Sequence, residues 1–177
     1  MAHIHTKSGQ HDHTASAFII RIDGSSPRVL VHLHKRLKQY IQVGGHVELN
    51  ETPWQTIAHE LREESGYDLS QLKLLQPEHR LLAMSNVVQH PMPVSNMTHP
   101  FGGIDHFHTD GGYLFITDQA PAHSPDEGES KDLRFLTRKE LVAEDNIPAN
   151  VRETYLFALD TALEHWQPVP TDTFSLE

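Results

Sequence analysis

The chain has 177 residues, no cysteine and a formal charge of −10, with 24 Asp and Glu against 14 Lys and Arg. This length fits one domain that buries its own core, and the acidic balance disfavours bulk binding to nucleic acid. The lack of cysteine excludes disulfides, thiolate metal sites and a cysteine nucleophile. No apolar run reaches the roughly eighteen residues of a membrane helix, and the N-terminus lacks the pattern of a secretory signal. We therefore expect a cytoplasmic protein without a membrane partner.

The N-terminal stretch, residues 1–13, is polar and has no periodic pattern. We predict a mobile lead-in here, followed by a single domain over residues 14–177. Four of the 15 histidines of the chain lie in this stretch, at His3, His5, His11 and His13. The favoured interpretation is a polar terminus that binds metal adventitiously or not at all, ahead of a functional metal site.

Two strand-like runs follow, at residues 15–22 and 28–33. The turn formers between them, at residues 23–27, predict that the two runs form a hairpin. A short extended stretch at residues 40–43 then leads into a Gly-Gly pair. These segments predict the beginning of a β-sheet.

The strongest helix signal comes next. Thr52 is suited to be the N-cap, Pro53 to be the first helical residue, and Gln55 can complete a capping box. An apolar stripe at three-to-four spacing follows, formed by Trp54, Ile57, Ala58 and Leu61. Gly66 can end the helix in a left-handed conformation. The pattern therefore predicts an amphipathic helix between Thr52 and Gly66.

The second half of the chain alternates loops, strands and helices. Residues 85–103 hold three prolines and a Gly-Gly pair, which predicts a long loop of the kind that often covers a substrate. Residues 106–117 predict a strand interrupted at Gly111 and Gly112. An acidic surface loop, a short strand and two helices are predicted at residues 121–130, 133–136, 138–143 and 148–166. This order predicts an α/β sandwich rather than a parallel doubly wound sheet.

Three glutamates dominate the predicted amphipathic helix. Glu60, Glu63 and Glu64 are spaced i, i+3 and i+4, which places them on one helix face. Carboxylates this close repel one another, and Mg²⁺ or Mn²⁺ would offset the repulsion because these ions prefer carboxylate oxygens and keep waters for substrate phosphates. A bare pattern of this kind is more often a solvated acidic face, so the flanking residues decide between the two interpretations.

The flanking residues match a known motif. Residues 44–67 are GGHVELNETPWQTIAHELREESGY. This segment resembles the Nudix box, G-x5-E-x7-R-E-U-x-E-E-x-G-U, in which U is a bulky apolar residue. The residues that match in register are Gly45, Glu51, Glu60, Leu61, Glu63, Glu64 and Gly66. Two positions differ: His59 stands where the family has Arg, and Tyr67 stands where it has an aliphatic residue.

The resemblance implies both a fold and a set of site residues. The fold is a Nudix-type α/β/α sandwich with a mixed sheet, in which the box forms a loop–helix–loop. Glu60, Glu63 and Glu64 would bind divalent cations together with the Gly44 carbonyl, and Glu60 and Glu64 would serve in catalysis. Glu51 would brace the loop–helix–loop.

Two residues complete the implied site. A further catalytic carboxylate is expected six residues before the aromatic residue of the final strand, and counting back from Phe135 gives Glu129. Asp126 and Glu127 are the alternatives in the same loop. The family Arg holds the neighbouring glutamate of the box, and His59 has fewer donors for this role. Reduced activity or a shifted pH optimum would follow.

Outside the box, we select His106, His108 and Arg36 as candidate substrate-binding residues. His106, His108 and Asp110 alternate along a predicted strand and therefore share one face. They would contact the substrate or a metal, or form a plain polar strand face, and both interpretations stay open. The basic residues around Arg36 would contact phosphate, although a solvated basic loop is the simpler interpretation.

The function implied by the resemblance is metal-dependent hydrolysis of the diphosphate bond of a nucleoside diphosphate-linked or nucleotide-like small molecule. A water polarised by Mg²⁺ or Mn²⁺ would attack one phosphorus while the other phosphate leaves. The expected partner is thus a small-molecule diphosphate and not a nucleic acid polymer, and a homodimer stays open.

Other functions on related folds are less well supported. A catalytically weak or silent Nudix-fold nucleotide-binding module is the main alternative, favoured by His59 alone. An isopentenyl diphosphate isomerase relies on a cysteine in its family pattern, and this chain has none. A nucleotide-sensing transcription regulator would need a DNA-binding segment, for which residues 145–177 are too few and insufficiently basic.

Overall fold

The computed structural model describes residues 7, 9–81, 84–100 and 106–177. In this part of the chain, nine strands pair into one mixed sheet. The strands are β1 (Gln10–Arg21), β2 (Arg28–Leu33), β3 (Tyr40–Ile41), β4 (Val43–His46), β5 (Lys73–Gln76), β6 (Ser95–Pro100), β7 (His106–Thr117), β8 (Leu133–Thr137) and β9 (Gln167–Pro170). The helices are α1 (Pro53–Glu60), α2 (Arg138–Ala143), α3 (Ala149–Phe157) and α4 (Leu163–His165). π-helical turns at Leu61–Ser65 and Ala158–Ala162 continue α1 and α3.

Two long parallel strands form the centre of the sheet. β1 and β7 pair along their whole length, from Gln10 opposite His106 to Arg21 opposite Thr117. β4 pairs with the middle of β1, and β6 with the first half of β7. β2 and β5 pair with the ends of β1 and β7 that follow. As a result the Gly-Gly pair of β4 lies beside Ala15 and Ser16, in the middle of β1.

Alternate side chains of the long strands face two different helical layers. Ala15, Ala17 and Ile19 of β1 pack on one face in a core that includes Trp54 and the other apolar residues of α1. The residues between them, such as Phe18, pack on the opposite face in a core that includes apolar residues of α2 and α3. The mixed sheet therefore lies between helices, and the predicted α/β/α sandwich is confirmed.

Helix α1 begins and ends as its sequence predicts. The Thr52 hydroxyl accepts a hydrogen bond from the Gln55 amide, and the Gln55 side chain accepts one from the Thr52 amide. At the other end, Gly66 adopts a left-handed conformation with φ of 73°. A Cβ at this position would overlap the carbonyl oxygen of His123, so glycine lets the acidic loop after β7 pack directly on the end of the helix.

Three of the predicted segment boundaries are wrong. Residues 10–13, assigned to the lead-in, belong to β1, where pairing with β7 extends the strand. The predicted loop at 85–103 contains β6, which pairs with β7; residues 101–103 lie outside the described part of the chain. Strand β7 is continuous through Gly111 and Gly112, because both are paired on each side. Among the described residues, no helix is long and apolar enough to span a membrane.

Candidate active site

Two buried carboxylates lie at the end of α1. Glu60 and Glu64 are only 1% and 7% exposed, whereas Glu63 is exposed to solvent. The face predicted for the three glutamates is thus divided, with two carboxylates turned inwards and one outwards. Side-chain atoms of His59, Glu60 and Glu63 nevertheless come within 4.8 Å of one another, close enough to hold one metal ion.

Glu64 is held by the backbone of β4. Its Oε2 accepts a hydrogen bond of 2.9 Å from the Gly44 amide. Gly44 has φ of 150°, and a Cβ there would overlap the Ala15 carbonyl oxygen and crowd Ser16. Only glycine lets β4 approach β1 this closely while its amide points at Glu64. The peptide of Gly44 therefore lies at the site, and the ligand role of its carbonyl stays a prediction.

His59, the residue that departs from the box, lies between two glutamates. Its Nδ1 is 2.9 Å from Glu51 Oε1, and its Nε2 is 3.4 Å from Glu60 Oε1. Glu51 also accepts a hydrogen bond from the Thr56 hydroxyl. The imidazole ring therefore joins the loop before α1 to the buried carboxylate of Glu60.

The electrostatic environment of the buried pair is unfavourable for two carboxylates alone. Burial raises the pKa of Glu60 to about 7, with further increases from the charges of Glu63 and Glu129. Burial also raises the pKa of Glu64 well above its usual range, and the charges of Glu60 and Glu129 add to the shift. A hard divalent cation would relieve this concentration of negative charge, and carboxylate oxygens are the ligands it prefers. The donor set fits such a cation.

Two histidines extend this neighbourhood. His32 Nε2 lies 3.5 Å from Glu64 Oε2, and burial lowers the pKa of His32 to about 4. The ring is therefore neutral at pH 7 and does not compensate the charge of Glu64. Burial also lowers the pKa of His34, and the Glu129 and Arg36 charges shift it in opposite directions. His32 was not selected from the sequence, because only the tertiary fold brings it to α1.

The loop that carries Glu129 is docked on α1. The Asp126 amide donates to the Glu63 carbonyl at 2.8 Å, and the Glu129 amide donates to the Asp126 carbonyl at 3.0 Å. Glu129 is half-buried, whereas Asp126 and Glu127 are exposed. Of these three acidic residues, Glu129 is the one whose charge contributes to the raised pKa of Glu60 and Glu64.

The remaining candidates are Arg36, His106 and His108. Arg36 is exposed in the turn between β2 and β3. His106 and His108 alternate with residues of the α1 face of β7, so they lie on the opposite face of the sheet, which carries α3. There they contact Asp12 and His46, two residues that no local pattern in the sequence connects with them. A substrate role for Arg36, His106 and His108 stays a prediction.

Comparisons with known proteins agree with this architecture. The sequence matches the NUDIX domain family over residues 12–156. A NUDIX-family hydrolase from Clostridium perfringens has 28% identity and a TM-score of 0.66, over 84% of this chain and 96% of that chain. An Ap4A hydrolase of C. elegans has 14% identity and a TM-score of 0.60, over 84% and 98% of the two chains. The E. coli dihydroneopterin triphosphate pyrophosphohydrolase has 14% identity and a TM-score of 0.57, over 86% and 95%.

No functionally curated protein matches the chain significantly. The family match nevertheless spans most of the 177 residues and includes the box, β1 and β7. At 14% identity the C. elegans and E. coli structures share the fold and no more. The motif, the sandwich fold and the family match agree: the chain belongs to the NUDIX family of hydrolases, enzymes that act on phosphorus-containing anhydrides.

Proposed function

We propose that the chain hydrolyses the diphosphate bond of a nucleoside diphosphate-linked or nucleotide-like small molecule, with Mg²⁺ or Mn²⁺ as cofactor. The observation that carries the proposal is the buried pair Glu60 and Glu64 at the end of α1, where the pKa of both carboxyl groups is raised by burial and by neighbouring negative charge. Two buried negative charges raise the free energy of the folded state unless a cation or a proton neutralises them.

Each residue of the site has a specific part in this proposal. Glu60, Glu63 and Glu64, with the Gly44 carbonyl, would hold the cation. When bound, it offsets the charge of the substrate phosphates and makes water a better nucleophile. Glu60 would either bind this cation or accept a proton from the attacking water at a carboxylate oxygen. Glu129 adds a further carboxylate, and the amide of Gly44 holds Glu64 in place.

The chemistry of the site supports a class of nucleotide-like substrates rather than one compound. The chain carries a formal charge of −10, so an anionic substrate needs a bridging cation to bind near Glu60 and Glu64. Fold relatives include an Ap4A hydrolase and a dihydroneopterin triphosphate pyrophosphohydrolase, whose substrates differ. Nucleoside triphosphates, nucleotide sugars and dinucleoside polyphosphates are therefore all in the proposed class. Cytoplasmic location and a homodimer stay predictions.

A substrate panel tests the proposal. The protein is incubated with nucleoside triphosphates, nucleotide sugars and dinucleoside polyphosphates, in Mg²⁺, in Mn²⁺ and in EDTA, and phosphorus NMR identifies the products. We expect cleavage of at least one diphosphate bond, with loss of activity in EDTA and recovery on adding metal. Binding of a nucleotide without hydrolysis in either metal would instead support the silent binding module.

Substitution in the acidic loop tests the role of Glu129. We expect Glu129→Gln to lower kcat by about tenfold or more, because its charge acts on the buried pair. Asp126→Asn and Glu127→Gln are the matched controls, since both residues are exposed neighbours in the same loop. If kcat is the same in all three variants, the loop is only an acidic surface.

A pH–rate profile tests the role of His59. The His59 ring lies between two carboxylates, with Nδ1 2.9 Å from Glu51 and Nε2 3.4 Å from Glu60, and only an imidazolium could donate to both. We expect His59→Arg to keep or raise activity and to flatten any fall in rate near neutral pH. His59→Ala should lower kcat by about tenfold across the profile, since Glu60 loses a partner that orients it. Identical profiles for the three proteins would mean that another residue positions Glu60.

A further inference from the structure

A second cluster of metal-ligating side chains lies on the α3 face of the sheet. Asp12 comes from β1, His46 from β4, and His106 and His108 from β7. Asp12, His46 and His108 are all buried, at 1%, 9% and 7% exposure. The strand register brings them together, because Asp12 is paired with His108 while His46 is paired with Thr14, the next residue of β1 on the same face.

The spacing of the side-chain atoms matches a metal site. His46 Nε2 lies 3.5 Å from Asp12 Oδ2 and 3.4 Å from His108 Nε2. One ligand atom from each of the three residues falls within 4.8 Å of the others. Around a tetrahedral ion with bonds of about 2.0–2.1 Å, neighbouring ligand atoms lie about 3.3–3.4 Å apart. Both separations are close to those expected of ligands that share one small ion, and the third pair of ligand atoms lies within 4.8 Å.

The chemistry of these ligands differs from that of the glutamates on α1. Two imidazoles and one carboxylate suit Zn²⁺ and related transition metals, whereas Mg²⁺ prefers oxygen ligands alone. His106 Nε2 lies 3.2 Å from Asp12 Oδ2. A partner of this kind orients a ligating carboxylate, and such contacts raise metal affinity.

The surrounding strands hold this cluster rigidly. Two buried or half-buried hydroxyls, those of Thr14 and Ser16, both donate to Asp110 Oδ1, at 2.8 and 2.9 Å. These bonds join β1 to β7 beside the cluster. The ring of His99 on β6 packs edge-on against His108, with centroids 5.3 Å apart. The ligands therefore project from paired strands rather than from loops, which favours a fixed coordination geometry.

We propose that Asp12, His46 and His108 bind a transition-metal ion, best matched by Zn²⁺, at a site separate from the glutamates of α1. His106 orients the Asp12 carboxylate. Three protein ligands leave one coordination position for water or an oxygen of a small molecule. Because His46 follows Gly44 by two residues on β4, an ion bound here also steadies the strand that holds Glu64.

Metal analysis of the full chain, expressed without a histidine tag, tests the proposal. Zinc content is measured by mass spectrometry after dialysis, and affinity by competition with a chromophoric chelator. We expect one Zn²⁺ per chain, and we expect Co²⁺ in its place to give the intense visible absorption of a four-coordinate ion. His108→Asn and Asp12→Asn should each weaken Zn²⁺ binding by about a hundredfold or more.

Two control variants separate this site from the other histidines and carboxylates. His59→Ala alters the second group of potential ligands, formed with Glu60 and Glu63, and the double variant His3→Ala with His5→Ala removes two N-terminal imidazoles. Both should keep one tightly bound Zn²⁺. Loss of Zn²⁺ from either control, or weak binding by the unaltered chain, would overturn the proposal. The Co²⁺ spectrum of the unaltered chain decides the question even if a ligand variant fails to fold.

Discussion

Replacing Glu64 by glutamine should lower kcat by about a hundredfold or more, because in the proposed mechanism this substitution makes a charged metal ligand neutral. Glutamine keeps an oxygen that can accept the hydrogen bond from the Gly44 amide, so the local structure should survive. Burial raises the pKa of Glu64, which means that its charge is unfavourable in the metal-free fold. We therefore expect activity to fall while thermal stability without metal is unchanged or higher.

The same substitution on α3 is the matched control. Glu153 is exposed on the solvent side of that helix, and Glu153→Gln should leave both kcat and the melting temperature as they are. Steady-state kinetics on the best compound of the substrate panel, with melting curves in EDTA, measures both quantities. Full activity of Glu64→Gln would remove Glu64 from the catalytic site. A large loss of stability in EDTA would show that its charge has a structural role.

Replacing Gly44 by alanine should damage both the fold and the site. The added Cβ would overlap the Ala15 carbonyl oxygen, and φ of 150° is strained for any residue with a side chain. Backbone strain and overpacking together cost about 2–5 kcal/mol, which corresponds to a fall of about 5–15 °C in the melting temperature of a domain of this size. Movement of β4 away from β1 would also withdraw the amide that holds Glu64, so activity should fall with stability.

Gly111 provides the control for Gly44→Ala. It also lies in a strand beside β1, but the nearest atom to an added Cβ is the Tyr113 hydroxyl at 3.8 Å. Gly111→Ala should therefore change the melting temperature by no more than a few degrees, as measured by calorimetry. If the two variants melt together, the close approach of β4 to β1 does not limit stability.

Local signals in the sequence explain why the box and its helix were predicted well. The capping box of Thr52 and Gln55 and the left-handed Gly66 depend on neighbours a few residues away. The spacing of the box glutamates is likewise a local property. Because side chains two residues apart on a strand share a face, His106 and His108 were predicted to lie on one face. The structure confirms that they do.

Features that depend on distant pairing were missed. Ser95–Pro100 has no apolar alternation, and it forms β6 because the edge of β7 provides hydrogen-bonding partners. β5, in the middle of the chain, pairs with β9, which lies close to the C-terminus. Asp12 and His46 reach His108 only through the register of three strands, which no segment of the sequence encodes by itself. The division of the glutamates into buried and exposed groups is also set by how α1 packs.

The hydrogen bond from Gly44 to Glu64 makes a backbone amide part of the carboxylate site. The proton of that amide lies directly against the oxygen that a cation would share, so its chemical shift depends on whether the carboxylate is bare, protonated or bound. In a nitrogen-labelled sample, the Gly44 resonance would follow cation binding residue-specifically, without substrate and without turnover. Glycine amides resonate at the low-frequency edge of the nitrogen dimension, where they are readily resolved. The Gly44 amide would thus serve as a spectroscopic reporter for the proposed cation site.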